Sequence, residues 1–236
     1  MAKSYTGKGD DGTSYRIGGG PRFSKASALP DALGTLDEAN AAIGVARGAL
    51  RRSPIAEELN TLNNADRYTL DGWLDALQHL LFRAGADLAT PFDPSRASGQ
   101  AAQDEPFNSP SGQVAQDKLL NPPQDQQPAA ARMSAADLTA LEASIDGLDA
   151  ILPDLRAFIL PQGNPVAAAL HIARVVMRRA ERALVNVRED GETLNEHLIP
   201  YINRLSSYLF ALARWVNWRS GIQEEHPDYG GDAETK

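Results

Sequence analysis

The residues with the clearest chemical potential are arginines that recur every fourth position in one stretch of the chain. Arg174, Arg178 and Arg182 fall at positions i, i+4 and i+8, which places them on a single line of a helix. Arg179 and Glu181 lie beside that line. A guanidinium group presents a rigid fork of donors that matches a carboxylate or a phosphate. The spacing therefore predicts an anion-binding row, and the alternative is a solvated face with local ion pairs.

A glycine-rich segment near the N-terminus could bind an anion as well. Residues 7–12 read GKGDDG and match the dinucleotide-binding pattern G-x-G-x-x-G, but the surrounding strand and helix that this pattern requires are missing. The P-loop sequence is missing too. Three glycines in this spacing can still turn backbone N–H groups toward one oxyanion, and the alternative is a flexible terminus. Four neighbouring side chains add donors: Thr6, Lys8, Thr13 and Ser14.

Helical periodicity accounts for most of the remaining chain. Residues 1–25 lack it and are expected to form an extended arm without regular strands. Apolar residues at three- and four-residue steps predict five helices. They cover residues 29–50, 55–88 with a break near Asn63, 134–152, the second half of 158–187, and 194–219. Ser134 and Asp137 have the spacing of a capping box at the start of the third helix.

Two segments differ in composition from the helices. Residues 91–132 are rich in proline and glutamine and predict a disordered insertion in a single domain over residues 1–236. Residues 221–236 are acidic and predict a frayed tail. The fifth helix carries a second apolar stripe, so it is either central or shared with another subunit. That stripe consists of Tyr201, Tyr208 and Trp215.

Composition excludes several classes of protein. A formal net charge of −8 and a pI near 5.0 argue against nucleic acid as the main partner, although a local basic pocket remains possible. No uncharged apolar run is long enough to span a bilayer, so we expect no membrane partner. The absence of cysteine excludes disulfides and thiolate chemistry and is compatible with the cytoplasm, which is the expected location.

The predicted elements correspond to an all-α fold, a ferritin-like up-down bundle of about five helices. A di-iron protein of that architecture would carry Glu-x-x-His on two helices, and this chain does not. The four histidines are scattered, so no protein-bound metal is expected. His171, on the arginine helix, is interpreted as a structural histidine. The glycine segment and the arginine row together fit a polyphosphate site without a P-loop.

Six stretches, in order, resemble the ATP:corrinoid adenosyltransferases of the propanediol-utilisation type. They are residues 5–14 (YTGKGDDGTS), 24–25 (SK), 34–40 (GTLDEAN), 158–161 (FILP), 170–182 (LHIARVVMRRAER) and 201–206 (YINRLS). The resemblance covers the chain apart from the insertion and the tail. Residues 161–164, PQGN, depart from the more usual Pro-Gly-Gly-Ser/Thr, a departure that concerns the local turn more than the chemistry.

The resemblance implies transfer of the 5′-deoxyadenosyl group of ATP to the cobalt of cob(I)alamin, or of a cobyrinic acid a,c-diamide precursor, with release of triphosphate. Implied partners are a reductase and a downstream adenosylcobalamin-dependent enzyme. Two alternatives stay open: a non-catalytic ATP- or corrinoid-binding chaperone that delivers cofactor to a mutase, and a purely structural helical oligomer.

The resemblance also implies a homotrimer with active sites between subunits. Asp37 would pair with Arg178 across a subunit boundary, and Phe158 would lie against the corrin and exclude the lower axial ligand of cobalt. These residues and Arg182 form the implied catalytic set. Mg²⁺ would be carried mostly by the triphosphate. ATP would be bound by Tyr5, Thr6, Gly7, Lys8, Gly9, Asp10, Gly12, Thr13, Ser14, Lys25, Arg178, Arg179, Glu181, Arg182 and Asn203.

Overall fold

A computed structural model describes residues 5, 7–16, 21–60, 69–92 and 132–229. The described residues form six helices and one small antiparallel hairpin, which confirms the all-α prediction. The helices are α1 (Ala28–Arg51), α2 (Ala56–Asn60), α3 (Leu70–Ala89), α4 (Ala135–Asp149), α5 (Pro165–Glu189) and α6 (Leu198–Arg219). The expected helix break near Asn63, the donor Thr6, residues 93–131 of the insertion and residues 230–236 of the tail lie outside the described part.

Helix α5, which carries the arginine row, lies in the middle of the bundle. It packs along α1 on one side and α6 on the other, while α3 packs on α1 and α4 on α6. Its inner face is a continuous buried apolar stripe that includes Leu170, Met177 and Leu184. Because the inner face is fully used in the core, the arginines at Arg178 and Arg182 must point away from it.

Helix α6 is central within one chain. Its leucine stripe is buried, and so are Tyr201, Tyr208 and Trp215, which are at most 4% exposed. The two apolar sides of this helix are therefore explained by burial inside the subunit. Of the two alternatives for this helix, a central position and a face shared with another subunit, the structure supports the central position.

The arm contains more regular structure than its composition predicted. Strands β1 (Thr13–Ser14) and β2 (Phe23–Ser24) pair antiparallel, with Thr13 opposite Ser24. The expectation of an arm without strands is wrong on this point. Two residues per strand are too few to produce a period in the sequence, which is why the hairpin left no signal.

The start of α5 explains the unusual PQGN turn. The Asn164 side chain caps the helix by accepting from the Val166 N–H at 2.9 Å, and Pro165 occupies the first helical turn. Gly163 has φ = 111°, and a Cβ on it would lie 2.2 Å from the Asn217 side-chain oxygen. That buried amide accepts from the Asn164 N–H and donates to the Gln162 carbonyl, both at 2.9 Å. The turn is thus held against α6, and Asn164 takes the capping role of a Ser or Thr.

The described residues before and after the insertion meet at Asp87, which is 2% exposed. Arg132 donates to the Asp87 carboxylate at 2.6 Å, and the Met133 N–H donates to it at 2.8 Å. Asn195, just before α6, donates to the same carboxylate at 2.7 Å. Helix α6 therefore starts at Leu198 and not, as the sequence predicted, at residue 194. The boundary of the insertion also differs from the prediction, because Arg132 belongs to this buried cluster.

We expect Asp87→Ala to lower the free energy of unfolding by about 3–5 kcal/mol, because it leaves Arg132 and two buried N–H donors without their acceptor. Urea denaturation followed by circular dichroism measures this loss. Asp154→Ala is the control, since its carboxylate is 86% exposed and 3.8 Å from Arg156. We expect the control to cost less than about 1 kcal/mol. Equal losses in the two variants would contradict the role of Asp87.

The C-terminal segment differs from the frayed tail that its composition predicted. Residues 221–229 follow α6 and are bonded to the chain at several points. The Gly221 N–H donates to the Trp218 carbonyl at 3.1 Å, and the Ile222 N–H donates to the Asn217 carbonyl at 2.9 Å. Within the described residues, no helix combines the length and apolar character needed to cross a membrane.

Candidate functional site

Two of the three arginines of the row, Arg178 and Arg182, are exposed on the outer face of α5, whereas Arg174 is half-buried. Arg178, Arg179 and Arg182 all face solvent. Arg182 donates to the Arg178 carbonyl at 3.0 Å, and Arg179 forms an ion pair with Glu38 on α1. In the part of the chain that is described, neither Arg178 nor Arg182 is paired with a carboxylate. Two guanidinium groups one helical turn apart therefore remain available for an anion.

Glu181 and Asn203 are brought together by the packing of α5 on α6. The Asn203 amide donates to the Glu181 carboxylate at 2.8 Å. Arg204 donates to the Asn203 side-chain oxygen at 2.7 Å and also to Glu142 on α4 at 3.0 Å. With its oxygen and nitrogen both engaged, the Asn203 side chain has a defined orientation beside the arginine row.

The glycine segment forms two successive turns. The Asp10 N–H donates to the Gly7 carbonyl at 3.3 Å, and the Gly12 N–H donates to the Gly9 carbonyl at 3.2 Å. Gly7 and Gly12 have φ values of 69° and 77°, in the left-handed region that glycine adopts without steric cost. The order of the loop therefore depends on glycine at these positions.

Arg22 and Asp11 stabilise the loop from the hairpin side. The Arg22 guanidinium donates to the Lys8 carbonyl at 2.7 Å and to the Thr13 carbonyl at 3.1 Å. Side-chain and backbone hydrogen bonds from Thr13 lower the pKa of the Asp11 carboxyl, with a smaller contribution from Arg22. The turn that exposes the loop N–H groups is thus fixed before any ligand arrives.

Lys25 lies directly over the loop. Its ammonium group donates to the Gly9 carbonyl at 2.7 Å, and its backbone N–H donates to the Gly12 carbonyl at 2.9 Å. A Cβ on Gly9 would lie 2.7 Å from the Lys25 Nζ atom, so a side chain at position 9 would displace the ammonium group. The absence of a side chain on Gly9 therefore places a positive charge on the loop.

The arm is tied to the C-terminal end of α5. Arg16, which follows β1, forms an ion pair with Glu192, three residues beyond the last residue of α5. Tyr5 is 69% exposed.

Asp37 and Phe158 lie apart from the loop. Asp37 is exposed on α1 and has no ion pair with a described residue. Phe158, in the segment before α5, is 79% exposed. At about 1.5 Å of rise per residue, the start of α5 at Pro165 lies roughly 25 Å from Arg182. Arg182 and the start of α5, which follows the Phe158 segment, are thus at different levels along the helix.

His171 and Arg174 lie on α5 between its start and Arg178. His171 is 3% exposed, and both of its ring nitrogens are buried without a hydrogen-bond partner among the described residues. Arg174 lies over the ring of Phe210 with 5.8 Å to the ring centroid. Burial, followed by the positive charge of Arg174, lowers the pKa of His171 to about 4. The imidazole is therefore neutral at physiological pH.

The neutral state of His171 predicts a pH dependence of stability. Its folded pKa of about 4 lies below the ordinary value of 6.5, so the unfolded chain binds a proton first. The free energy of unfolding should therefore decrease as the pH falls from 6.5 toward 4. His171→Leu should make this slope shallower in urea titrations at several pH values. His79→Leu, at a site with a 35% exposed side chain, should leave it unchanged. An unchanged slope in His171→Leu would contradict the assignment.

Several contacts at the site were not predicted from the sequence. They involve Arg22 beneath the loop, Glu38 beside Arg179, and Arg204 beside Asn203. A signal for Glu38 was present, because it lies on the polar face of α1 next to Asp37. Arg22 carried no local signal, since its partners lie nine or more residues away. The contact between Arg204 and Glu142 depends on helix packing.

Comparisons with known proteins all find members of one family. The sequence model of the cobalamin adenosyltransferase family matches residues 4–108 and 109–216. The corrinoid adenosyltransferase of Bacillus subtilis is 34% identical over 220 residues, which cover 93% of this chain and 89% of the relative. That of Mycobacterium tuberculosis is 34% identical over 232 residues, 94% of this chain and 95% of the relative. The human corrinoid adenosyltransferase MMAB is 33% identical over 225 residues, which cover 95% of this chain and 73% of the relative.

Solved structures show the same fold. A phenylalanine-to-alanine variant of the PduO-type ATP:corrinoid adenosyltransferase from Lactobacillus reuteri, complexed with cobalamin and ATP, superposes with a TM-score of 0.65 at 30% identity and covers 95% of this chain and 99% of its own. An arginine-to-lysine variant complexed with ATP gives a TM-score of 0.65 at 29% identity, with coverage of 96% and 100%. Extended similarity in sequence and in structure shows that the chain belongs to the cobalamin adenosyltransferase family.

Proposed function

We propose that this protein transfers the 5′-deoxyadenosyl group of ATP to the cobalt of a reduced corrinoid and releases triphosphate. The observation that carries the proposal is the pair of exposed guanidinium groups of Arg178 and Arg182, which have no carboxylate partner in the described chain. The reaction is the one that the family name describes. The two guanidinium groups can bind the triphosphate that leaves.

ATP binds between the loop and the arginine row in this proposal. Backbone N–H groups of residues 7–14 that are not bonded within the loop contact phosphate oxygens, as do the Lys25 ammonium group and Arg182. Glu181 and Asn203, already bonded to each other at 2.8 Å, contact the nucleoside portion. Tyr5 and Thr6 extend the same arm. The preformed turns of the loop support this assignment, because donors fixed in advance need no ordering when the anion arrives.

The reaction is a nucleophilic displacement at one carbon. The electron pair of Co(I) attacks the 5′ carbon of ATP, the cobalt–carbon bond forms, and the bond from that carbon to the triphosphate oxygen breaks. The triphosphate leaves with the electron pair, and Arg182 and Lys25 stabilise its charge. The protein therefore mainly aligns the two substrates at near-attack distance.

Phe158 acts on the corrinoid before the transfer. A bound lower axial ligand makes Co(II) harder to reduce, so a ring that excludes this ligand makes Co(I) accessible to a mild one-electron donor. The 79% exposure of Phe158 supports this role, because it leaves the ring accessible to a corrinoid. A reductase supplies the electron, and an adenosylcobalamin-dependent enzyme receives the product.

Mg²⁺ is held by the triphosphate oxygens in the proposed complex. Among the described residues, no group of three or more histidines and carboxylates is arranged to hold a metal ion. Arg and Lys side chains are the principal protein ligands of the phosphate groups, which fits a metal bound mainly through the nucleotide. We place the reaction in the cytoplasm, as expected for a chain without cysteine.

The active form in this proposal is a homotrimer in which Asp37 of one subunit pairs with Arg178 of the next. Both residues are exposed, and neither has an ion pair among the described residues. The same outer surface of α1 and α5 carries three exposed apolar side chains, at Val45, Ile172 and Val175, which are 49–60% exposed. Apolar residues in a row beside unpaired charges of opposite sign are typical of a subunit interface.

Two inactive variants should therefore complement each other. We expect Asp37→Ala and Arg178→Ala to be weak alone, whereas their co-expression reconstitutes an intact interface in about a quarter of the boundaries of randomly mixed trimers. Activity of the mixed preparation should reach about a quarter of the wild-type rate. A double variant that carries both changes in one chain is the control and should stay inactive. Mixed assemblies no more active than the single variants would contradict a shared site.

Steady-state turnover tests the function itself. Purified protein is incubated without oxygen with ATP, Mg²⁺ and chemically reduced corrinoid, using cobalamin and cobyrinic acid a,c-diamide in parallel. We expect many moles of product per mole of protein, with triphosphate in equal amount. Product limited to one equivalent would instead indicate a chaperone, and no product with either corrinoid would contradict the proposal.

A further inference from the structure

The segment after α6 runs alongside the Phe158 segment. The Leu160 N–H donates to the Glu225 carbonyl at 2.8 Å, and His226 Nδ1 lies 2.8 Å from the Phe158 carbonyl oxygen. A carbonyl can only accept, so Nδ1 carries the hydrogen in this contact. The backbone on both sides of Ile159 is thus bonded to residues about 65 positions later in the chain.

This segment is itself anchored to the bundle through Glu224. Arg214, which is 5% exposed, donates to the two carboxylate oxygens of Glu224 at 2.8 and 3.2 Å. The same guanidinium group donates to the Pro153 carbonyl at 2.8 Å. A buried, bidentate pair is a firm attachment. Arg214 therefore joins the segment after α6 to the segment that leads into Phe158.

Phe158 has little packing of its own to orient it. Its ring is 79% exposed, and it lies in a stretch without helix or strand. The direction of an exposed side chain on such a stretch follows from its backbone. The carbonyl of Phe158 and the amide of Leu160 are bonded to the segment after α6, so that segment sets where the ring lies.

We propose that residues 222–226 form a strap that positions Phe158 for the corrinoid, with His226 as the positioning residue and the Arg214–Glu224 pair as its anchor. The strap rests on the proposed function, because it acts through the exclusion of the lower axial ligand by Phe158. His226 does not touch the cobalt. It reduces the conformational freedom of the ring, so that less ordering is needed when the corrinoid binds.

The first measurement needs no activity. Hydrogen exchange of the Leu160 amide reports directly on the strap, because this N–H is bonded to Glu225. We expect His226→Ala to speed its exchange about fivefold, the effect of losing one neighbouring hydrogen bond. A chain that ends at Ser220 should lose the protection altogether. His226→Gln, whose amide can donate to the same carbonyl, should restore slow exchange, and His197→Ala should leave it unchanged.

The second measurement separates the two stages of the reaction. With Co(II) corrinoid, ATP and a mild reductant, we expect His226→Ala to be about fivefold slower than wild type, and to show a smaller fraction of four-coordinate Co(II) in its absorption and spin-resonance spectra. With chemically reduced Co(I), its rate should stay within about twofold of wild type, and His226→Gln should recover the Co(II) rate.

The outcomes distinguish the strap from the function. Wild-type exchange at Leu160 in both His226→Ala and the shortened chain would overturn the strap, whatever the activity. Unchanged Co(II) rates and spectra in His226→Ala, with an active wild type, would overturn its positioning role. If the wild type forms no product from chemically reduced Co(I), the proposed function is wrong and the role of the strap in it falls too, while the exchange experiment still decides whether the strap exists.

Discussion

Arg182→Ala should lower kcat/KM for ATP by about 100- to 1000-fold, the usual cost of removing one donor that stabilises charge on a leaving group. The fold should be unaffected, since the only described contact of the Arg182 side chain is its hydrogen bond to the Arg178 carbonyl on the same helix. The loss should therefore appear in catalysis and not in the melting temperature. Initial rates with chemically reduced cobalamin, measured over a range of ATP concentrations, give this value without interference from the reduction step.

Two further variants make the Arg182 result specific. Arg182→Lys keeps the charge but loses the planar fork, so its rate should fall between those of the wild type and the alanine variant. Arg188→Ala removes an exposed arginine from the last turn of the same helix and should leave the rate unchanged. An Arg182→Ala protein within about threefold of the wild-type kcat/KM would remove this residue from the phosphate site.

Phe158→Ala should slow the reduction of Co(II) and leave the adenosyl transfer from Co(I) nearly unaffected. Starting from Co(II) corrinoid and a mild reductant, we expect the rate to fall at least about tenfold, because the lower axial ligand can then stay bound and oppose reduction. Starting from chemically reduced Co(I), the rate should stay within about threefold, and the ATP affinity by calorimetry should be unchanged. The 79% exposure of the ring makes a folding defect an improbable cause.

The control for Phe158 comes from the same segment. Leu155 is 46% exposed and lies three residues earlier, so Leu155→Ala removes a comparable apolar group without touching the proposed corrinoid contact. It should behave as wild type in both assays. A Phe158→Ala protein that is equally impaired from Co(II) and Co(I), or impaired from neither, would contradict the role in ligand exclusion.

Local pattern was sufficient for the helices because their signals are local. The apolar stripe of α5 has a period that no strand could satisfy, and the Ser134–Asp137 capping box marks the start of α4 as predicted. Helix α6 shows the limit of such reasoning. Its two apolar sides were correctly identified, but only the packing of the other helices reveals that both are buried within one chain.

In the candidate site, too, some features were predictable from local sequence and others were not. The arginine row and the glycine turns were predictable, because spacing on a helix and the conformational freedom of Gly7 and Gly12 belong to the local sequence. The contacts between His226 and Phe158 and between Arg22 and the loop were not, because they join residues that no periodicity relates. For this reason residues 222–226, which were expected to fray, instead bond to the segment that carries Phe158.

ATP labelled with carbon-13 at the 5′ position tests adenosyl transfer most directly. Incubated with the protein and chemically reduced cobalamin, the label should move to cobalt, and its carbon-13 resonance should shift to that of a cobalt-bound methylene as unlabelled triphosphate accumulates in equal amount. Light should then cleave the product and release the label. If the label stays on a nucleotide while ATP is converted to ADP and phosphate, or if ATP is unchanged, the displacement at the 5′ carbon does not occur and the account is wrong.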